Sequence, residues 1–242
     1  MQPILKKNIA IAIALLFHIS GAIGILFSPY KKWFIENTSL NLLVMFGLLI
    51  FTQQYSAKGD KSSTKNNCIG FVSFSIISMF IGFMVEVFGV NTGALFGNYT
   101  YGNVMGFKLW GVPLLIGVQW FVTIYCCGVI MNFVNNWTQK KINKVEKETK
   151  AISKNISKIS LIIDAALLAT FFDFIIEPVA QKLDYWQWSS NEIPYFNYTC
   201  WFFVSVLLLL ILNQFKFNKL NSFAIHLFII QLLFFITLRI YL

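Results

Sequence analysis

Apolar residues along this chain gather into long runs rather than scattering. Seven runs approach the roughly 20 mostly apolar residues needed to cross a bilayer core: 9–27, 40–55, 69–90, 109–134, 159–182, 198–215 and 222–241. The second is the shortest. A chain crossing hydrocarbon must satisfy its backbone hydrogen bonds within each segment, so these runs are expected to be helices. The period-two alternation of a membrane β-barrel is absent. The pattern predicts an all-α polytopic membrane helix bundle of about seven transmembrane helices, with residues 1–242 as one integral membrane domain.

Composition sharpens this picture. Charged residues make up 12% of the chain, about half of what a soluble domain carries. The formal net charge of +9 is placed asymmetrically. If the N-terminus and every second connection lie on one side, that side holds 14 of the 19 lysines and arginines, seven of them between Lys140 and Lys158. The positive-inside rule then puts the N-terminus and a basic loop, 135–158, in the cytoplasm. The loop reads as a solvated connector that sets orientation, and no nucleic-acid partner is expected, because aromatic residues do not interleave its lysines. Residues 1–22 resemble a signal peptide in charge and apolarity. No small-residue cleavage site follows, so a retained first helix at the cell membrane is expected. Cys68, Cys126, Cys127 and Cys200 show no metal-ligand spacing and read as small apolar residues; no metal or cofactor is expected.

Chemistry enters where polarity is out of place. Of ten carboxylates, six lie in connections, and the other four fall within or beside predicted spans: Glu86, Asp164, Asp173 and Glu177. An ionisable group at mid-membrane costs roughly 2.5–3.5 kcal/mol on insertion scales, so such groups face the bundle interior and mark working sites or interhelical locks. At 100° per residue Asp173 and Glu177 share a face with Ala165 and Ala169, whereas Asp164 points elsewhere. Gly82, Glu86 and Gly89 form a similar stripe. Small residues beside a carboxyl let two helices approach closely. Two outer connections follow these acids. One holds Asn91, Thr92, Tyr99 and Tyr101; the other holds Tyr185, Trp186 and Trp188. Their aromatics suit a membrane interface, but two such loops attached to acid-bearing helices predict a roofed pocket.

The stretch from Gly82 through Glu86, Gly89, Thr92, Gly93, Phe96, Gly97, Tyr99, Tyr101 and Gly102 to Lys108, Gly111 and Pro113 resembles the carotenoid biosynthesis membrane proteins of the CruF type. Asp173, Glu177, Pro178, Tyr185, Trp186 and Trp188 resemble that family's second block, where Glu177 replaces a more usual aspartate. The similarity spans about 78–202. It implies a cofactor-independent hydro-lyase, a carotenoid 1,2-hydratase, acting on a lycopene- or gamma-carotene-type substrate in membrane lipid. Water would add across the terminal C1–C2 double bond of an acyclic (ψ) end. Protonating an unactivated alkene needs a strong neutral acid, and a carboxyl in apolar surroundings keeps its proton. The resulting tertiary cation is stabilised by carboxylates and aromatic faces, and a base orients the attacking water. Under this reading Glu86, Asp173 and Glu177 are catalytic, while Asn91, Thr92, Tyr99, Tyr101, Trp110, Tyr185, Trp186 and Trp188 bind substrate. The alternatives are a carotenoid cyclase with the same acid chemistry and a proton-coupled transporter. The transporter lacks the expected internal repeat. A retinal-binding protein would need a lysine in 222–241, and there is none.

Overall fold

The computed structural model describes residues 3–56, 61–142, 150–190 and 192–242. Within these residues eight helices and four short strands occur in the order α1 (Pro3–Phe27), α2 (Lys31–Glu36), α3 (Thr38–Ser56), α4 (Lys61–Thr92), β1 (Tyr99–Tyr101), β2 (Lys108–Leu109), β3 (Val112–Pro113), α5 (Leu115–Ile142), α6 (Lys150–Lys182), β4 (Trp186–Trp188), α7 (Tyr195–Gln214) and α8 (Ser222–Tyr241). Among the described residues six helices are long and apolar enough to span a membrane, and Thr38–Gln54 in α3 is a shorter apolar helix. The expected bundle of about seven is therefore present as six full-length spans and one shorter helix, the shortest run in the sequence.

The helices outrun their apolar segments. The stretch 135–158, expected as a basic loop, instead continues α5 as far as Ile142 and opens α6 at Lys150. Lysine and glutamine are good helix formers, so nothing in the local sequence stops either helix at the edge of its apolar run. Lys144 and Lys147 lie outside the described residues.

Helix α5 is the hub. Its span is 67% buried, against 28–39% for the other five, and it packs on α3, α4, α6, α7 and α8. Close approach to α4 depends on two glycines. A methyl group on Gly82 would run into the Trp120 side chain, and one on Gly117 would meet the Met79 carbonyl. The outer faces remain apolar and exposed, as lipid contact requires: Leu16, Ile19 and Ile23 on α1, Ile76 and Phe80 on α4, Phe203 and Leu207 on α7. A polar cluster joins α3 to α5 and α8. Tyr125 donates to Gln53 Oε1 at 2.6 Å, and Asn221 donates to Thr52 at 3.1 Å.

Strands β1 and β4 pair antiparallel with Tyr99 opposite Trp188 and Tyr101 opposite Trp186. The two outer connections, expected as loops, are thus zipped into a ribbon. Alternation places Tyr99 and Tyr101 on one face of β1 with Thr100 exposed between them. Gly102 permits the closure: a side chain there would collide with the Asp184 backbone. Lys108 secures the turn by donating to the Tyr101 carbonyl at 2.6 Å and to Asn103 at 3.0 Å.

Candidate active site

Four helix ends meet beneath the ribbon. Glu86 lies six residues before the end of α4 and Glu177 five before the end of α6; Trp120 is five residues into α5 and Asn197 two into α7. At 1.5 Å per residue, these side chains sit within about 9 Å of their helix ends. Asp173 and Trp201 come from the next turn of α6 and α7. Together with Phe96, Tyr99, Tyr101, Trp186 and Trp188 they line a cavity of about 30 Å³, enough for about two water molecules.

Every carboxyl here is buried: Glu86 4% exposed, Asp173 2% and Glu177 2%. Each is met by donors rather than by a cation. Glu86 accepts from the Tyr99 and Tyr101 hydroxyls on Oε2, at 2.5 and 2.8 Å, and from Trp120 Nε1 on Oε1 at 2.8 Å. Glu177 accepts from Trp186 Nε1 at 2.9 Å and Trp188 Nε1 at 2.8 Å, both on Oε2. The Asn197 amide bridges the acids, donating to Asp173 Oδ2 at 2.9 Å and to Glu177 Oε1 at 3.1 Å. Burial, and then the neighbouring Glu86 carboxyl, push both ribbon phenols well above the ordinary tyrosine range. They therefore stay neutral hydrogen-bond donors across the biological pH range.

The aromatic walls are ordered by the same ribbon. Tyr99 and Trp188 have ring centroids 5.1 Å apart, Tyr101 and Trp186 6.0 Å, as cross-strand pairs. Opposite them Trp120 stacks on Trp201 at 3.8 Å and 12°. Four indoles and two phenols around three carboxyls form an environment that stabilises a positive charge without supplying one. Among the described residues, no three His, Cys, Asp or Glu side chains are grouped as metal ligands.

One feature of α6 is local to the site. Pro178 has no N–H to donate to the Phe174 carbonyl one turn back. Arg239 of α8 fills the gap, donating to that oxygen at 2.7 Å with its guanidinium 4.6 Å over the Phe174 ring. The helix carrying Asp173 and Glu177 continues past the proline to Lys182.

The chain matches the carotenoid biosynthesis protein family over residues 40–241. The chain belongs to that family. No curated protein and no solved structure matches it. Membership gives the protein a role in carotenoid biosynthesis, its six long apolar helices make it a membrane protein, and the family match reaches well beyond the 78–202 stretch that carried the resemblance. Within the family region, Glu86, Asp173, Glu177, Tyr99, Tyr101, Trp186 and Trp188 converge on the cavity. Four other residues expected to bind substrate lie elsewhere. Asn91 caps backbone carbonyls of Val87 and Trp110, and Thr92 caps Phe88. Trp110 is 61% exposed and holds a left-handed backbone, φ 52°. Tyr185 is buried against Thr38 at 2.8 Å, bracing α3; burial pushes its phenol up to about 12. Asp164, expected to point away, is exposed and bonded to Ser160. Trp120, Asn197 and Trp201 were not singled out by sequence. Asn197 had one legible signal: an amide at the edge of an apolar run must find a partner when buried.

Proposed function

We propose that the protein is a carotenoid 1,2-hydratase of the cell membrane that adds water to the acyclic end of a lycopene- or gamma-carotene-type substrate. The observation that carries this reading is the pairing of three buried, donor-held carboxyls with a water-sized cavity walled by aromatic faces, in a family devoted to carotenoid biosynthesis. For a terminal isoprene unit to enter from the bilayer past Trp201 and Gln119, the part-exposed helix residues at the cavity edge, the aromatic walls must move apart, because the closed cavity holds about two waters. A carboxyl protonates C2. The positive charge that develops at C1 lies among indole and phenol faces and beside carboxyl oxygens already fixed by Trp, Tyr and Asn donors. Such preorganised groups stabilise the transition state without reorganising. Water held in the same enclosure attacks C1, giving a tertiary alcohol.

Expression in a host that accumulates lycopene tests this. The pigment should gain the mass of one water for each reacted end and carry a tertiary alcohol. A new pigment of unchanged mass would replace hydration with cyclisation or isomerisation.

A further inference from the structure

The three carboxyls differ in how completely their oxygens are used. Both oxygens of Glu86 are occupied, Oε1 by Trp120 and Oε2 by two phenols. Both oxygens of Glu177 are occupied too, Oε1 by Asn197 and Oε2 by two indoles. A carboxyl group has about four lone-pair sites, and donors already fill three of them in both Glu86 and Glu177, leaving one on each Oε1. Asp173 is arranged differently. Its Oδ2 takes one amide hydrogen from Asn197, and no bond to Oδ1 occurs among the described residues. Asp173 nevertheless faces the cavity.

We infer that Asp173 is the proton donor of the reaction, carrying its transferable proton on Oδ1, while Glu86 and Glu177 are fixed acceptors that stabilise the cation. The assignment rests on the hydration reading above. In the forward step the Oδ1–H bond breaks, and the alkene π pair forms the new C2–H bond. C1 becomes a tertiary cation and Asp173 a carboxylate. Water bonds to C1 through oxygen, and one of its protons returns to Asp173. The sum is one alkene plus one water giving one alcohol, with the acid regenerated and no electrons exchanged. Asn197 is a positioning residue. One amide hydrogen on each acid holds Asp173 by Oδ2 and leaves Oδ1 without a bond among the described residues.

Membranes carrying the wild type, D173N, D173A, E86A and E177A, supplied with lycopene in detergent micelles, separate the roles. D173N should lose about 10²–10⁴-fold in rate, the usual contribution of a general acid. D173A should regain activity when acetic acid is added and not when acetamide is added, because a small acid can occupy the space of the lost side chain. E86A and E177A should be slow and unresponsive to acetic acid. A purely structural Asp173 would give no rescue. D173N within about tenfold of wild type, or acid rescue at E86A or E177A instead, would overturn the assignment. If wild-type membranes yield a pigment of unchanged mass, it is the hydration reading that falls, and the same variants still report which carboxyl starts the reaction.

Discussion

Trp186 and Trp188 act through their indole nitrogens as much as through their faces. Both donate to one oxygen of Glu177, a carboxyl 2% exposed. Phenylalanine at either position keeps an apolar ring and removes one donor. A hydrogen bond to a charged or strongly polar buried group contributes about 1.5–3 kcal/mol, which is roughly tenfold to more than a hundredfold if it is felt in the transition state. Trp188→Phe is therefore expected to lower turnover by about that factor, more than Trp186→Phe, because Trp188 is 4% exposed and Trp186 only half-buried. Initial rates in membranes with matched protein content check this. Equal and near-normal rates for both variants would mean that the two indoles are interface anchors.

The elements meet where side chains are missing. Gly82 and Gly117 lie where α4 and α5 touch, and Gly82 abuts Trp120, the indole that holds Glu86. Alanine at either position must push the helices apart or shift Trp120, and overpacking of this kind costs about 1–3 kcal/mol. Gly47 in α3 has open space around it, so Gly47→Ala should be neutral or slightly stabilising, as helix propensity favours alanine by up to ~1 kcal/mol. Thermal denaturation in detergent should lower the midpoint for Gly82→Ala and Gly117→Ala and leave Gly47→Ala unchanged or raised. This contact was partly legible in the sequence, because Gly82 and Glu86 share a helical stripe. The acid stripe of α6 was legible for the same reason, and Ala165, Ala169, Asp173 and Glu177 are all buried. The ribbon was not. Three-residue strands give no periodic signal, and the pairing of Tyr99 with Trp188 joins residues brought together only by the packing of α4 against α5 and α5 against α6. Asn91, Thr92 and Trp110 do not line the cavity for a related reason: polar residues next to a site cap helix ends as readily as they bind ligands, and sequence distance does not separate the two.

At the scale of the whole molecule, orientation and chemistry are linked. The ribbon, the cavity and the acid-bearing helix ends all lie at the end of the bundle opposite the lysine-rich ends of α5 and α6. With positive-inside placement the cavity is expected near the outer leaflet. Reporter fusions after Lys65, Lys150 and Lys219 should read as cytoplasmic, and one near Asn191 as external; a cytoplasmic reading at Asn191 would reverse the bundle. Hydration itself is tested most directly by the origin of the oxygen. Membranes containing the protein are incubated with lycopene in water enriched in heavy oxygen, and the pigment is analysed by mass. The expected product is a tertiary alcohol at the former C1 whose oxygen carries the solvent label in proportion to its enrichment. A product without solvent oxygen, whether cyclised, isomerised or unchanged, would contradict hydration.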